Sequence, residues 1–196
     1  MVLRLCIFAT MMNYKLYYHT PEGFDDLWMC SDGEMLTGLW FEGSRDEDRF
    51  VGMFQEMSLP VVIYETCRWL DLYFSGRQPD FTPAYRIDNQ TPFRKRVSEI
   101  MCEIPFGKTM TYGEITKRIA GSLQEMSSTP RRMSAQAVGC AVGWNPICLI
   151  VPCHRVVGAN GNLTGYGGGM KNKIALLKHE GHDMNRFFIP AKSKGL

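Results

Sequence analysis

Long apolar runs are missing from this 196-residue sequence, and none approaches the roughly 20 residues that a membrane-spanning helix requires. Internal repeats and low-complexity stretches are also missing, which excludes a repeat architecture. The first 12 residues are apolar, but Arg4 interrupts them and they lack a charged leader and a cleavage site. We therefore expect a cytoplasmic protein, nucleoid-associated in a bacterium, that makes no membrane contact and folds residues 1–12 as a buried strand.

A disulfide framework is not indicated, because the seven cysteines are odd in number and include no CxxC pair. Thiols of this kind stay reduced in a cytosolic protein. Cys6, His19 and Cys30 are conceivable metal ligands, but their spacing matches no standard zinc site. Buried strand cysteines are the simpler interpretation, and we expect no metal. Three further cysteines fall on predicted helix faces and are expected in the core: Cys67, Cys102 and Cys140.

Charge is distributed unevenly along the chain. Residues 1–85 contain 6 Lys+Arg and 13 Asp+Glu, whereas residues 86–196 contain 16 and 7. The small net charge of +2 therefore conceals an acidic first half and a basic second half. A basic half indicates that this part faces a polyanion, although two solvated surfaces of opposite sign would give the same numbers.

The first part of the chain has the pattern of a hairpin followed by a helix. Asp32-Gly33 is a tight-turn sequence that separates strand-like segments at 24–30 and 34–41. Apolar residues then recur at helical spacing over 61–74, and Gly76 stands where a helix would end. These patterns predict two paired strands and one helix.

The second part of the chain has the pattern of a linker followed by short helices. The stretch 76–92 contains three prolines and several polar residues, so we place a domain boundary near residue 86. Three helices are predicted from capping residues: 92 to about 103 after Thr91, 112 to about 120 in the capping box Thr111–Glu114, and 135–142 after Ser134. The last helix is rich in Ala and Gly and follows two arginines, so the last two helices fit a helix-turn-helix.

A cysteine with basic neighbours follows a buried segment. The apolar run 147–151 predicts the end of a buried strand, and it leads into the sequence Pro-Cys-His-Arg-Val-Val. A nucleophilic cysteine needs its thiolate form, and His154 and Arg155 follow Cys153 directly. His154 can act through a water, with Glu180 as the carboxylate that holds its tautomer. A buried, unreactive cysteine is the alternative interpretation.

Several motifs occur in a fixed order around this cysteine. Asn145-Pro146 lies upstream, and Gly-Tyr-Gly-Gly-Gly at 165–169 and His-Glu-Gly at 179–181 lie downstream. In this order, the segment from about Phe93 to Gly181 resembles the active-site region of the O6-alkylguanine-DNA alkyltransferases (methylated-DNA–protein-cysteine methyltransferases). In the first part the resemblance is looser, and it rests on the sequence Tyr-Phe-Ser-Gly at 73–76 and on the hairpin before it.

The resemblance implies two domains. Residues 1–86 would form an α/β domain of ribonuclease H-like fold with a small antiparallel sheet, which packs against the second domain and stabilises it. Residues 87–196 would form a mostly α-helical domain that contains the helix-turn-helix, binds DNA and accepts the alkyl group. The resemblance further implies a monomer without metal, nucleotide or redox cofactor, whose partner is double-stranded DNA with an alkylated guanine.

Catalytic roles are implied for four residues. Cys153 is the nucleophile and final acceptor of the alkyl group. His154 takes the thiol proton through a water, and Glu180 orients His154. Asn145 links the recognition helix to the active-site strand through backbone contacts. The thioether that results is not reversed by cellular reductants, so each molecule would act once.

A base pocket and a DNA surface are also implied. The target oxygen lies inside the duplex, so the nucleotide must flip out, at a cost of a few kcal/mol. The basic domain would bind phosphates without sequence preference, and a helix of Ala and Gly can approach the minor groove closely. The residues implied are Tyr112 at the flipped base and neighbouring phosphate, Tyr166, Gly167 and Gly168 in the pocket lid, Lys173 as support of the pocket, and Arg155.

Two positions depart from the pattern of the family. The family places an arginine two residues before Val-Gly, where it fills the gap left by the flipped base, and this chain has Gln136 there. Glutamine fills space but brings no charge, so we regard Arg131 or Arg132 as candidates for the missing cation. Cys148 stands where some relatives have a proline that lines the pocket, which leaves the tolerance of bulky alkyl groups open.

Three other functions fit parts of this pattern. A binding-only relative would recognise alkylated guanine without reacting, but such proteins lack the cysteine present here as Cys153. A helix-turn-helix regulator whose thiol senses alkylation or oxidation would leave the Gly-Tyr lid without a purpose. A cysteine hydrolase using Cys153, His154 and Glu180 would need an oxyanion hole, for which the sequence gives no clear indication. A non-catalytic or thiol-sensing DNA-binding protein remains the alternative.

Overall fold

The computed structural model describes residues 13–44, 59–124 and 134–190. Within them the strands are β1 (Tyr14–Tyr18), β2 (Leu27–Ser31), β3 (Leu36–Phe41), β4 (Met110–Thr111) and β5 (Val156–Val157). The helices are α1 (Val61–Phe74), α2 (Pro92–Cys102), α3 (Tyr112–Gln124), α4 (Ala135–Val142) and α5 (Met170–His179), with short 3₁₀ turns at Cys153–Arg155, Ala159–Gly161 and Met184–Arg186. The expectations for the strand at 1–12 and for Cys6, Arg131 and Arg132 lie outside the described ranges.

The predicted hairpin is confirmed and belongs to a three-stranded antiparallel sheet in the order β1-β2-β3. At its turn, the Asp32 carboxylate accepts hydrogen bonds from the backbone N–H groups of Glu34 and Met35 at 3.0 and 2.8 Å. Gly33 has a φ of +103°, a left-handed conformation that glycine adopts without a steric cost. These local bonds fix the register in which β2 and β3 pair.

The predicted helix over 61–74 is confirmed as α1, and Gly76 follows it with a φ of +80°. The helix packs on β2 and β3, and its buried side chains, which include Ile63, Leu70 and Tyr73, recur at helical spacing. Each of these side chains is fully buried. Burying a side chain such as Leu70 stabilises the fold by about 1.5–3 kcal/mol, so this face fixes the position of α1 on the sheet.

The predicted caps of the later helices are confirmed. The side chains of Thr91 and Ser134 each accept a hydrogen bond at 3.2 Å from the backbone N–H three residues later. In the capping box, Glu114 N–H donates to Thr111 at 3.1 Å, and the Thr111 backbone N–H donates to the Glu114 carboxylate at 2.7 Å. Helix α3 runs four residues beyond the predicted end, because a single interior glycine such as Gly121 costs a helix only about 1 kcal/mol.

Ile147 forms an isolated parallel bridge with Leu39 of β3, but the rest of the apolar run 147–151 is a buried turn, so the prediction of a strand end is wrong beyond Ile147. Two of its backbone hydrogen bonds are local, from Ile150 N to Cys148 O at 2.7 Å and from Val151 N to Ile147 O at 3.1 Å, and Leu149 has a φ of +67°. A short apolar run has the same composition in a buried strand and in a buried turn, so periodicity does not separate the two. The 3₁₀ turn Cys153–Arg155 follows in place of extended chain.

One continuous hydrophobic core joins the sheet to the later helices. It contains Leu39 from β3, Ile100 from α2 and Leu176 from α5. The edge of β3 also bonds the buried turn, because Leu39 N–H donates to Pro146 O and Cys148 N–H donates to Leu39 O, both at 2.9 Å. The first part of the chain therefore braces the segment that leads to Cys153, while the division into two domains stays a prediction.

Cysteine burial differs from expectation. Cys102 and Cys140 are exposed and Cys67 is only half-buried, because helical spacing did not show which face of each helix meets the core. His19 bonds the Asp26 carboxylate at 3.1 Å, and Cys30 is buried. Within the described ranges, no three His, Cys, Asp or Glu side chains are grouped closely enough to hold a metal ion. No helix in the same ranges is long and apolar enough to cross a membrane.

Candidate active site

Cys153 begins the 3₁₀ turn that follows the buried segment, and it is 7% exposed. Asn145, just after the end of α4, directs its side-chain Nδ2 to Val151 O at 2.8 Å and to Ile147 O at 3.2 Å. These are backbone contacts of the kind expected for Asn145. The same Nδ2 lies 3.1 Å from the sulfur of Cys153, a contact that the sequence did not predict. An amide donor at sulfur stabilises a thiolate relative to a thiol.

His154 is fully buried, and its Nε2 lies 2.7 Å from Glu180 Oε1. An ionised carboxylate only accepts hydrogen bonds, so Nε2 carries the hydrogen and Nδ1 keeps a lone pair. Among the described residues, Nδ1 has no hydrogen-bond partner. Burial lowers the pKa of His154, the nearby charges of Arg155 and Lys173 lower it further, and Glu180 opposes them. The imidazole is therefore neutral at neutral pH, with Nδ1 available as a base.

The carboxylate of Glu180 is held by donors from four residues in three parts of the chain. Besides His154, Oε1 accepts from Tyr73 Oη at 2.9 Å and from Arg155 Nη2 at 3.0 Å. Oε2 accepts from Arg155 Nε at 3.0 Å and from Gly107 N at 3.1 Å. Burial alone would raise the pKa of Glu180, but the hydrogen bonds and charges of His154 and Arg155 outweigh it and lower the pKa to about 2. Glu180 is thus ionised at neutral pH and orients His154 through a charge-assisted bond.

Arg155 does not lie on a DNA-facing surface, which corrects the expectation from the sequence. It is 8% exposed, and its Nη1 donates to Ile104 O at 2.7 Å while its other nitrogens bond Glu180. A buried guanidinium needs a carboxylate partner, because desolvating an unpaired charge costs several kcal/mol. The partner lies 25 residues away along the chain, so the neighbours of Arg155 in sequence did not reveal the pairing.

Lys173 lies on α5 with its side chain fully buried. Its Nζ donates to Val156 O at 2.7 Å and to Thr164 O at 3.4 Å. Lys173 thus connects the residue after the 3₁₀ turn Cys153–Arg155 to the start of the glycine-rich segment. Burial lowers the pKa of Lys173 to about 8, and attraction to Cys153 opposes this change. The ammonium group therefore supports the pocket and adds positive potential near the sulfur.

An open cavity of about 620 Å³ leads to Cys153. Both expected tyrosines line it, Tyr112 from the start of α3 and Tyr166 from the glycine-rich segment. Burial raises the pKa of both phenols, and the proximity of Cys153 adds to both shifts. Both are neutral near pH 7 and can donate a hydrogen bond to a base in the cavity.

The two glycines expected in the pocket lid line the same cavity. Gly167 and Gly168 lie in its wall next to Tyr166. A Cβ atom at Gly168 would lie 2.7 Å from Cδ2 of Phe41 and 2.8 Å from Cε1 of Tyr166. Real Cβ atoms do not approach so closely, so a larger residue would displace the rings that shape the pocket. Glycine is needed here because of close approach rather than for backbone freedom.

Gln136 stands in the first turn of α4, where it is exposed and lines the cavity. Gly139 and Cys140 lie in the same wall, so α4 contributes small residues to the cavity. Helix α4 packs on α3, as a helix-turn-helix requires. The loop with Arg131 and Arg132 lies outside the described ranges, so the helix-turn-helix stays a prediction.

Among the site residues that the sequence did not predict, two line the cavity and two bond Glu180. Trp40 and Phe41 at the end of β3 line the cavity. Tyr73 and Gly107 both bond Glu180. The sequence contained a sign of the role of Tyr73. The residue falls on the buried face of a predicted helix, where a tyrosine hydroxyl needs a hydrogen-bond partner. The other three are brought in by tertiary packing, and their sequence surroundings contain no comparable indication.

Sequence comparison finds relatives of this chain. The family described as "6-O-methylguanine DNA methyltransferase, DNA binding domain" matches residues 92–182. The methylated-DNA–protein-cysteine methyltransferase of Mycobacterium leprae is 37% identical over 157 residues, which cover 80% of this chain and 86% of the relative. The protein of the same name from Methanosarcina mazei is 45% identical over 120 residues, which cover 61% of this chain and 69% of the relative.

Solved structures extend the similarity to the fold. The crystal structure of Mycobacterium tuberculosis O6-methylguanine methyltransferase matches with a TM-score of 0.69 at 34% identity, covering 92% of this chain and 97% of that one. The M. tuberculosis protein in complex with DNA matches with a TM-score of 0.65 at 34% identity, covering 89% and 95%. The predicted fold class, a small antiparallel sheet followed by a mostly helical part, is confirmed. The chain belongs to the family of methylated-DNA–protein-cysteine methyltransferases.

Proposed function

We propose that this protein repairs DNA by moving the alkyl group of O6-alkylguanine irreversibly onto its own Cys153, with O4-alkylthymine as a further candidate substrate. One observation carries the proposal: the sulfur of Cys153 lies at the wall of an open cavity, 3.1 Å from the Asn145 amide. Beside it in the chain stands a neutral histidine, which an ionised glutamate orients. A buried thiol without such neighbours would be an inert core residue.

The proposed reaction is a displacement at the alkyl carbon. The sulfur of Cys153 forms a bond to this carbon while the bond from carbon to guanine O6 breaks, and the electron pair of the broken bond stays on guanine. His154 Nδ1 takes the thiol proton through a water, and one proton returns to the base. Glu180 stabilises the imidazolium that forms. The products are guanine and a thioether, so one molecule repairs one lesion without a cofactor.

Double-stranded DNA is the proposed partner, and the damaged nucleotide must leave the helix to enter the cavity. A basic half of 16 Lys+Arg against 7 Asp+Glu supports sequence-independent phosphate binding. The small residues of α4 support a close approach to the minor groove, where little sequence is read. A relative has been solved with DNA bound, which supports the same partner here.

The cavity residues have proposed roles toward the flipped base. Tyr112 contacts the base and the adjoining phosphate, and Tyr166 with Gly167 and Gly168 covers the base as a lid. Lys173 supports the lid through its bond to Thr164 O. In this proposal the protein acts as a cytoplasmic monomer, with residues 1–86 and 87–196 as its two domains.

The gap that the flipped base leaves in the duplex needs a filler. We propose that Gln136 fills it and that Arg131 or Arg132 provides the cation that Gln136 lacks. Gln136→Arg is then expected to bind a damaged duplex more tightly, whereas at least one of Arg131→Ala and Arg132→Ala binds it more weakly, with a smaller dependence on salt. Affinity titrations at two salt concentrations measure both effects. Two alanine variants that bind like the wild type would refute the role of the arginines.

The proposed function is tested by intact mass after mixing the protein with a duplex that contains one O6-methylguanine. We expect a gain of one methyl group that maps to the Cys153 peptide and saturates at one per molecule. An undamaged duplex of the same sequence is the control. Tight binding of the damaged duplex without a mass gain would instead support the binding-only alternative, and no preference for damage would support a thiol-sensing regulator.

A further inference from the structure

Tyr73 contacts His154 and Glu180 from a distant part of the chain. It lies in the last turn of α1, 107 residues before Glu180 in the chain, and it is fully buried. Its hydroxyl donates to Glu180 Oε1 at 2.9 Å and lies 3.5 Å from His154 Nε2. Tyr73 and His154 therefore donate to the same carboxylate oxygen.

The ring of Tyr73 is fixed on several sides. Trp69 stacks on it at 5.5 Å between ring centroids, and Phe106 meets it edge-on at 5.8 Å. His179 Nε2 lies 2.8 Å from the carbonyl oxygen of Tyr73, and the centroids of the two rings are 5.3 Å apart. A phenylalanine would keep this packing, so packing does not require the hydroxyl. A buried hydroxyl costs free energy unless it is bonded, and here its bond goes to the glutamate of the active site.

We propose that Tyr73 is a positioning residue that sets the proton affinity of His154 by sharing Glu180 Oε1 with it. The inference rests on the proposed function for its meaning in repair. Each donor that a carboxylate oxygen accepts withdraws electron density from it, so the Tyr73 bond weakens the hold of Glu180 on a protonated His154. The neutral imidazole, which is the form that takes the thiol proton, is favoured as a result.

The direction of the effect follows from all the groups that face His154. Glu180 at the end of α5 favours the imidazolium, whereas Lys173 on α5 and the adjacent Arg155 disfavour it. Removing the Tyr73 hydroxyl leaves the two cations in place and strengthens Glu180 as an acceptor. In Tyr73→Phe, His154 should therefore keep its proton to a higher pH. The alkylation rate falls on the acid side of its pH profile as His154 becomes protonated, and we call this fall the acid limb. The acid limb should move to higher pH by about 0.5–1 pH unit.

The test measures the alkylation rate of Cys153 against pH, from about pH 5 to pH 8, in the wild type and Tyr73→Phe. Two alkylating substrates are used, a duplex with O6-methylguanine and the small reagent iodoacetamide. Tyr18→Phe is the matched control, because it removes a hydroxyl that donates to another carboxylate, Asp71, at 2.7 Å. We expect the acid limb to shift with both alkylating substrates in Tyr73→Phe and to stay at the wild-type pH in Tyr18→Phe.

Each outcome decides the proposal. An acid limb at the wild-type pH in Tyr73→Phe overturns it even if the rate falls, because a purely structural role lowers the rate at all pH values. If Tyr73→Phe does not fold, 4-fluorophenylalanine at position 73 fills the space of the hydroxyl without donating, and the same comparison applies. A shift with iodoacetamide in a protein that takes no methyl group from DNA would support the role of Tyr73 and refute the proposed function.

Discussion

Cys153→Ser is expected to take no methyl group from a duplex containing O6-methylguanine, while it still binds that duplex with the affinity of the wild type. The hydroxyl of serine is a far weaker nucleophile than a thiolate, and the Asn145 amide that lies 3.1 Å from the sulfur does not activate it. The transfer rate should fall on the order of 10⁴-fold or more. Intact mass and a binding titration on the same samples measure the two properties separately.

Cys148→Ser is the matched control for this variant. Cys148 is also buried and lines the same cavity, so it is a second thiol that a reactive alkyl group could meet. We expect Cys148→Ser to gain one methyl group, still at the Cys153 peptide. A methyl group found on Cys148 in Cys153→Ser would mean that the cavity, rather than the environment of Cys153, selects the acceptor.

Elements that depend on local hydrogen bonds were predictable from the sequence. Thr91, the Thr111–Glu114 box and Ser134 each satisfy backbone groups within three residues, and the helices begin where these residues predict. The hairpin at Asp32-Gly33 is of the same kind, because the turn itself contains the bonds that define it. In these cases the physical cause lies inside the window that a sequence pattern covers.

Features that depend on distant partners were not predictable in the same way. Arg155 was expected at the DNA surface from the resemblance, yet it is buried against Glu180. The conformation of the turn at Leu149 depends on β3, which bonds its flanking residues from more than 100 positions away. Glu180 itself was identified as the partner of His154, since it was the carboxylate available in the motif that ends at Gly181. The resemblance thus pointed to Cys153, His154 and Glu180, and the structure added residues that contact them, such as Tyr73 and Gly107.

Glu180→Gln is expected to damage both catalysis and stability. Catalysis falls because the amide does not stabilise an imidazolium as a carboxylate does, and a general base of this kind contributes on the order of 10²–10⁴-fold in rate. Stability falls because the buried Arg155 loses the partner of its Nε and Nη2 groups. Removing one member of a buried ion pair costs about 3–5 kcal/mol. Denaturant unfolding and the rate of methyl transfer measure the two losses.

Glu103→Gln provides the contrast for stability. Glu103 bonds Arg118 at 2.7 Å, but both side chains are about half exposed. Solvent screens such pairs, and they contribute about 0–1 kcal/mol. We expect the unfolding free energy of Glu103→Gln to lie within about 1 kcal/mol of the wild-type value. The rate of methyl transfer should be unchanged. A loss in Glu180→Gln no larger than that in Glu103→Gln would contradict the assigned role of the buried pair.

The pH dependence of the stability loss identifies its cause. The pKa of Glu180 is lowered from 4.5 to about 2 in the folded protein, so its contribution is fully present above pH 4.5 and is lost as the pH falls toward 2. This shift corresponds to a contribution of about 3 kcal/mol to the free energy of unfolding at neutral pH. At about pH 3 the contribution is about 2 kcal/mol smaller. The difference in unfolding free energy between the wild type and Glu180→Gln should therefore shrink by about 2 kcal/mol between neutral pH and pH 3. A difference that stays constant over this range would mean that altered packing, rather than the lost charge, destabilises the variant.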